Sequence, residues 1–111
     1  MKPVIFLRNR IKCKLCGDII ESEHNYDFKY CKCGKTHIDG GHCCPRFGSS
    51  NLDNVETLFI VCDDINKLDI SNTSDRLRLT YDGVLYEIPK VYEIDITYIM
   101  QTINMMLKNE Y

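Results

Sequence analysis

Two short stretches, Cys13-Lys14-Leu15-Cys16-Gly17 and Cys31-Lys32-Cys33-Gly34, decide how this chain of 111 residues folds. Each stretch places two thiols close together and follows them with a glycine, which permits the positive φ that such turns need. A turn of this kind points both sulfurs to one side, and four thiolates at about 2.3 Å complete a closed tetrahedral zinc site. The pattern therefore predicts one structural zinc ion per chain with four ligands: Cys13, Cys16, Cys31 and Cys33.

The region around these cysteines is too polar to fold by apolar burial alone. Six of the seven cysteines lie between Cys13 and Cys44, a stretch short of large aliphatic side chains. The apolar start of the chain is shorter than a secretory signal, so we expect a cytoplasmic protein with reduced thiols. Clustered cysteines in that environment indicate a metal site rather than disulfides. Four lysines offset the negative charge of the site: Lys12, Lys14, Lys32 and Lys35.

The remaining cysteines have no such clear pattern. Cys43 and Cys44 adjoin His42, and the sequence leaves their role open. They could replace one cysteine of the second turn or hold a second ion, although vicinal cysteines rarely bind one tetrahedral ion well. Cys62 ends an apolar run, and a free cysteine there is expected to pack in the core.

Catalytic patterns are missing from the sequence. The zinc-deaminase signature, a phosphate-binding loop and a G-x-S-x-G elbow do not occur, and four thiolates leave no open position on zinc. His24 and His37 flank the second cysteine pair and are expected to be surface or hydrogen-bonding residues rather than ligands. His24-Asn25 together with His37 or His42 would supply the histidine, asparagine and histidine of a nuclease metal finger, but these residues do not fall on a recognisable strand-strand-helix unit. We therefore expect that the protein is not an enzyme. A small nuclease ranks behind the two binding functions described below.

The second half of the chain is predicted to be a small sheet. The apolar run of residues 57–62 indicates a buried strand. Residues 76–80 and 84–88 alternate with period two around Asp82-Gly83, which is a strong hairpin signal. Residues 63–75 are polar and indicate a loop with one helical turn.

The C-terminus is predicted to be an amphipathic helix. Its apolar residues recur at helical spacing: Ile96, Ile99, Met100, Ile103, Met106 and Leu107. Asp95 is the expected N-cap, with Ile94 and Ile99 as a hydrophobic staple, and Asp95 is expected to lie off the apolar stripe with Gln101 and Asn104. The predicted fold is α+β in a single domain over residues 1–111. A zinc-ribbon-like module (residues 8–48) packs on an antiparallel sheet closed by the helix (residues 52–111).

Charge is distributed unevenly along the chain. Residues 1–48 carry a net charge of +4 and residues 49–111 a net charge of −6. In the first part Tyr26, Phe28 and Tyr30 are interleaved with cations, a pattern that suits single-stranded nucleic acid. The overall pI of about 5.9 argues against that reading. The acidic part supplies a candidate face for a basic protein partner: Asp53, Glu56, Asp63, Asp64 and Asp69.

A resemblance to known proteins rests on residues 8–22, 27–34 and 39–41. These segments resemble a small family of uncharacterised zinc-ribbon-like proteins from Gram-positive bacteria and their phages. The resemblance implies the same four zinc ligands and no known activity, and Cys43-Cys44-Pro45 departs from the family pattern. In size, composition and acidic second half the chain is also similar to phage anti-CRISPR inhibitors. That similarity implies a non-catalytic inhibitor that blocks DNA binding by a type II RNA-guided nuclease, with a nucleic-acid-binding zinc ribbon as the alternative.

Overall fold

The computed structural model describes residues 3–108, which form antiparallel sheets and a C-terminal helix. The predicted α+β class is therefore confirmed. The elements in chain order are β1 (Ile5–Cys13), β2 (Ile19–Ser22), β3 (Lys29–Tyr30), β4 (Thr36–Asp39), β5 (Arg46–Ser49), β6 (Val55–Thr57), β7 (Ile60–Cys62), β8 (Leu68–Asn72), β9 (Arg76–Tyr81), β10 (Val84–Pro89) and α1 (Glu93–Lys108). None of the helices within residues 3–108 has the length and apolar character needed to cross a membrane.

The longest strand, β1, organises the fold. Its side chains alternate between buried and half-buried positions along its whole length, as a strand with one face on a core requires. β2 pairs antiparallel with residues 9–12 of β1, while β6 and β7 follow one another along β1, opposite residues 11–13 and 5–8. The sequence analysis did not predict this strand, because the inward-facing Asn9 interrupts the apolar alternation.

Two apolar cores share β1. The first core lies between β1, the hairpin and the helix. Its buried members are Ile5, Leu7, Cys62, Leu68, Leu77, Leu79, Ile88, Ile99, Ile103 and Met106. The second core surrounds the cysteine turns: Ile11, Cys13, Ile20, Cys31 and Ile38. The cysteine turns and the C-terminal half are therefore joined by a continuous strand.

Asn9, between the two cores, has a structural role. Its Nδ2 donates to the backbone carbonyls of Asp39 at 3.0 Å and Gly41 at 2.9 Å. The hydroxyl of Ser22, the cross-strand partner of Asn9, accepts a hydrogen bond from the Gly41 N–H at 2.9 Å. Buried polar groups are normally hydrogen-bonded, and Oδ1 of Asn9 is an exception, since it has no partner among the described residues. The hydrogen bonds of Asn9 and Ser22 fix the chain after β4 against the inner face of β1 and β2.

The sheet of the second half agrees with the hairpin prediction and adds a strand to it. β9 and β10 pair antiparallel around Asp82-Gly83. β8 adds a third strand on the other side of β9, so residues 63–75 contain a strand besides the expected helical turn at Ile65–Lys67. The alternation of β8 is hard to detect because only Leu68 is buried.

The apolar run of residues 57–62 was expected to be one buried strand, and that expectation was wrong. It lies along one side of β1 and is interrupted after Thr57, giving β6 and β7. Among its residues only Cys62 is buried. In an antiparallel sheet one face can pack on the core while the other faces water, which explains why residues 57–61 are partly exposed.

The helix is confirmed, but its start and its buried face differ from the prediction. It begins at Glu93, so Asp95 lies inside the first turn and is not the N-cap. Asp95 is only 1% exposed and Ile94 is exposed, so Asp95 lies on the buried face and the staple does not form. The predicted apolar stripe is largely confirmed, because Ile99, Ile103 and Met106 are buried and Ile96 and Met100 pack against the same core, while Leu107 is 63% exposed. The buried face runs through Asp95, Ile99, Thr102, Ile103 and Met106. Thr102 fits this face because its hydroxyl donates to the Tyr98 carbonyl at 2.9 Å.

Candidate metal centre

The four cysteines of the two turns lie at one end of β1. One sulfur from each residue lies within 4.8 Å of all the others. The Cys13 and Cys33 sulfurs are 3.7 Å apart, and those of Cys31 and Cys33 are 3.4 Å apart. Two thiolates on one zinc ion lie about 3.8 Å apart when each bond is about 2.3 Å and the geometry is tetrahedral. The structure thus brings all four predicted ligands together at spacings that fit one metal ion.

Each turn is closed by a backbone hydrogen bond from the glycine to the first cysteine, over four residues in the first turn and three in the second. In the first, the Gly17 N–H donates to the Cys13 carbonyl at 2.7 Å, and in the second the Gly34 N–H donates to the Cys31 carbonyl at 2.9 Å. Gly17 has a φ of 78° and Gly34 a φ of 75°, in the left-handed region that favours glycine. These glycines were predicted for this reason, and the structure confirms it.

Further hydrogen bonds tie the turns to each other. The Asp18 carboxylate accepts a hydrogen bond from the Lys32 backbone N–H at 3.0 Å, so a residue just after the first turn holds the second. The Cys31 N–H donates to the Thr36 carbonyl at 2.9 Å. Such surrounding contacts orient metal ligands and are part of a working site. Sequence reasoning missed Asp18 and Thr36, because neither is a ligand type in a recognised spacing.

Proton binding by the cysteines is uneven. A hydrogen bond with the Thr36 side chain, helped by the Cys16 backbone N–H, lowers the pKa of the Cys13 thiol to about 6. The Lys35 N–H lowers the pKa of Cys33, but the neighbouring Cys31 thiol and burial outweigh it and raise that pKa to about 11. Without metal, Cys13 therefore loses its proton more readily than Cys33. Binding of a cation would release the protons that remain on the cluster, because the thiolate is the ligand.

The other cysteines stand apart from this group. Cys43 and Cys44 lie between β4 and β5 and do not join the four-sulfur cluster. Burial and the neighbouring Cys44 thiol raise the pKa of Cys43 to about 11. Cys62 is fully buried in the first core, which confirms its predicted packing role.

The three histidines make contacts other than metal ligation. His24 stacks on Tyr92 with ring centroids 4.6 Å apart. His37 stacks on Phe28 at 5.3 Å. Nδ1 of His42 lies 2.6 Å from the Phe6 carbonyl oxygen. None of them belongs to a metal-competent cluster within residues 3–108.

An aromatic surface lies on the cysteine-rich half, formed by Phe28, Tyr30 and His37. Tyr30 pairs across the strands with His37, and His37 pairs with Gly48 on β5. A Cβ at Gly48 would lie 2.5 Å from Cε1 of His37, so the ring rests directly on this glycine. Phe28 is 49% exposed and Tyr30 is 60% exposed. The third predicted aromatic, Tyr26, lies elsewhere, in a cleft with Val91 and Tyr92.

The segment that carries this aromatic surface has more cationic than anionic side chains. Asp27 is paired with Lys29 at 3.1 Å, and Asp39 with Arg46 at 3.0 Å. The side-chain ammonium groups of Lys32 and Lys35 have no carboxylate within 4 Å in the part of the chain that the structure describes. The lysine, arginine and aspartate side chains of segment 26–49 give a formal net charge of +2, part of which offsets the thiolates of the cysteine cluster.

The predicted acidic face is divided into two groups. Glu56 pairs across the sheet with Lys12, and Asp53 lies just before it, near the cysteine end of β1. Asp63 and Asp64 follow Cys62, which pairs with Ile5 at the other end of β1. Ile5 and Lys12 are seven residues apart on this strand, which is about 23 Å at about 3.3 Å per residue.

Around this far end the acidic residues approach the hairpin sheet. Asp69 lies on β8, beside β9. Burial and the nearby charges of Cys62 and Asp63 raise the pKa of Tyr81 on β9.

Comparison with known proteins gives one match. Residues 5–49 match a sequence family described as Domain of unknown function (DUF7695). This segment begins with β1 and ends with β5, so it contains the whole cysteine cluster. No curated protein and no solved structure matches the chain. The expected resemblance of residues 8–48 to an uncharacterised family agrees with the match, whereas the anti-CRISPR resemblance has no counterpart in these comparisons.

Proposed function

We propose that the protein is a zinc-stabilised, non-catalytic binding protein. The four sulfurs are spaced for one tetrahedral ion, and an all-thiolate set is typical of structural zinc. Four protein ligands leave no coordination position for water or substrate, so the ion would hold the two turns together without catalysing a reaction. Metal analysis of the purified protein tests this directly, with one zinc per chain as the expected result.

For the ligand, the geometry best supports single-stranded nucleic acid. The observation that carries this proposal is the aromatic surface of Phe28, Tyr30 and His37, and Lys32 and Lys35 follow Tyr30 closely in the sequence. Exposed rings stack on bases of any sequence, and lysines attract the phosphates. The rings are held in a fixed arrangement, because Phe28 stacks on His37 and His37 rests on Gly48. Little side-chain freedom would therefore be lost when a base stacks on them.

Fluorescence anisotropy with a labelled single-stranded DNA or RNA 12-mer tests the proposal. We expect binding that weakens with salt and that Phe28→Ala or Tyr30→Ala reduces about tenfold, since a stacked base contributes about 1–3 kcal/mol. Tyr98→Ala is the matched control, because Tyr98 is 39% exposed on the helix, away from this surface. The proposal is wrong if the wild-type chain shows no salt-dependent binding, or if all three variants bind alike.

A second candidate is the inhibitor of a type II RNA-guided nuclease. It is supported by exposed carboxylates of the second half, such as Asp53, Asp63 and Asp69, which form no ion pair within residues 3–108. Such nucleases have positively charged channels for their heteroduplex, and an acidic protein surface is attracted to them.

Charge reversal separates the two candidates. Changing Asp63, Asp64 and Asp69 to lysine should abolish binding to a basic protein but strengthen binding to an oligonucleotide, because phosphates would no longer be repelled. Lys32→Glu and Lys35→Glu should have the opposite effect on the oligonucleotide, each lowering the salt dependence by about one phosphate contact. Because the acidic residues form two groups, the set at Asp53 and Glu56 is reversed separately.

A further inference from the structure

A cleft of about 390 Å³ lies between the β1–β2 strand pair and β10. Its lining includes Leu7 and Arg8 from β1, Glu21 from β2 and Tyr86 from β10. His42 also lines it, although this residue belongs to the connection between β4 and β5. The cleft shares no residue with the cysteine cluster or with the aromatic surface, so its chemistry is independent of both.

His42 is held in one orientation at the wall of this cleft. Its Nδ1 lies 2.6 Å from the Phe6 carbonyl oxygen, and since a carbonyl only accepts, Nδ1 carries the proton. Its backbone N–H donates to the Asp95 carboxylate at 2.8 Å. In the neutral ring, Nε2 is therefore an acceptor.

This acceptor has no partner of its own. Although the residue is only 8% exposed, Nε2 makes no hydrogen bond to any residue between 3 and 108. Nε2 is therefore an accessible acceptor at the wall of the cleft, a position where a ligand can donate a hydrogen bond in place of water.

The charges around the cleft select the kind of ligand. Arg8 is not free to bind an anion, because Glu21 accepts two hydrogen bonds from its guanidinium at 3.1 and 2.6 Å. Glu87 is occupied by Arg76 and lies 3.7 Å from Arg78. Glu23 lies at the cleft without a cation within 4 Å among residues 3–108. A ligand thus meets one neutral acceptor and one carboxylate that lacks a counter-ion.

We propose that this cleft binds an organic cation, an ammonium or guanidinium group. One N–H of the cation donates to Nε2 of His42, and Glu23 balances its charge. Tyr86 and Tyr92 line the same cleft, and aromatic rings attract such cations, although one face of the Tyr92 ring is stacked on His24. A metal ion fits less well, because the only metal-competent cluster in the described chain is the four cysteines. The cation can come from a free amine or from a lysine or arginine side chain of another protein.

Titration of the zinc-loaded, ¹⁵N-labelled protein with n-butylammonium tests the proposal. We expect saturable shifts of the His42 ring nitrogens and of the β10 amides. The neutral isostere 1-butanol and the anion butyrate should give no such shifts. Absence of a saturable shift with n-butylammonium, or equal binding of butyrate, would overturn the proposal.

Two variants identify the groups responsible. His42→Asn keeps a donor near the Phe6 carbonyl but removes the Nε2 acceptor, so binding should weaken about tenfold or more. Glu23→Gln removes only an exposed charge, so it tests the site even if the first variant folds poorly. Asp82→Asn removes an exposed carboxylate of the turn between β9 and β10 that does not line the cleft, so it is the matched control and should bind normally. Unchanged binding by Glu23→Gln and by folded His42→Asn would contradict the proposal.

Two further probes separate the sources of the cation. Stronger binding of N-acetyl-arginine or N-acetyl-lysine methylamide than of putrescine supports the site and indicates a side chain of a partner protein. The reverse order supports the site and indicates a free amine. Nucleic-acid binding is not involved in either measurement, so the two proposals succeed or fail separately.

Discussion

The carboxylate of Asp95 accepts a hydrogen bond from the backbone N–H of His42 at 2.8 Å, and the two residues belong to different halves of the chain. Its other oxygen accepts from the Asn25 N–H at 2.7 Å. The first turn of the helix is thereby bonded to two loops of the cysteine-rich half. Because Asp95 is buried and makes both bonds through one carboxylate, no other side chain substitutes well there.

The first prediction concerns this connection. Asp95→Asn should lower the free energy of unfolding by about 2 kcal/mol, because an amide accepts one N–H but presents its own N–H₂ to the other. Urea denaturation followed by circular dichroism measures the change. Glu93→Gln is the control, since Glu93 is exposed on the same helical turn. Equal stability of the two variants would show that the carboxylate does not join the halves.

The second prediction concerns the metal. Cys33→Ser should lose the bound zinc and most of the stability of the cysteine turns, because a structural zinc site supplies about 10 kcal/mol of apparent folding free energy. Cys44→Ser should keep one zinc per chain, since Cys44 lies outside the cluster. Elemental analysis and thermal melting of both variants check this. Full zinc content in Cys33→Ser would require a different ligand set.

The third prediction concerns the buried face of the helix. Ile99→Asp should destabilise the protein by several kcal/mol, because it places an unpaired carboxylate in the first core. Leu107→Asp should have little effect, although an apolar periodicity alone includes both residues, since Leu107 is exposed. Melting temperatures of the two variants decide between the observed face and the face expected from the sequence.

The fourth prediction concerns the support of the aromatic surface. Gly48→Ala should displace the His37 ring, because the new methyl group would lie 2.5 Å from it, and Phe28 would lose its stacking partner. We expect oligonucleotide binding to weaken several-fold while the zinc content stays unchanged. Ser50→Ala, two residues further on and exposed, is the control. Anisotropy titrations of the two variants measure the difference.

The fifth prediction concerns the cysteines outside the cluster. In the zinc-loaded protein, iodoacetamide should label exposed Cys44 first and buried Cys62 last. Labelling of Cys43 should be slow at pH 7 and rise about tenfold per pH unit up to pH 9, because its pKa of about 11 keeps most of it protonated. Peptide mass spectrometry after timed labelling measures the order. Rapid labelling of Cys62 would show that the first core opens readily.

The sequence predicted the four-cysteine cluster well because its signals are local. The spacing of the cysteines and the glycines after them specify a turn that depends little on the rest of the chain. The hairpin around Asp82-Gly83 was predictable for the same reason. The grouping of the four cysteines therefore needed no knowledge of the tertiary structure.

The features that the sequence did not predict depend on tertiary contacts. Asp95 suggested an N-cap, but its carboxylate binds backbone N–H groups far along the chain. Asn9 hid the longest strand, because a buried polar residue is explained only by the carbonyls of Asp39 and Gly41 that it meets. The acidic residues form two separate groups because β6 pairs with one end of β1 and β7 with the other. The periodicity of the sequence does not indicate this pairing.

Because β1 is continuous, a metal ion bound at the cysteine turns would also stabilise the part of the chain beyond them. Ile5 and Cys13 lie on the same strand but belong to different cores. Loss of order at one end of β1 therefore weakens the strand pairing that holds its other end. A ligand that binds only the folded state shifts the unfolding equilibrium, by about 4 kcal/mol when its concentration is about 1,000 times its dissociation constant. If the cluster holds zinc as proposed, zinc depletion would therefore make the whole chain more susceptible to proteolysis, and the abundance of the protein would follow the availability of the ion.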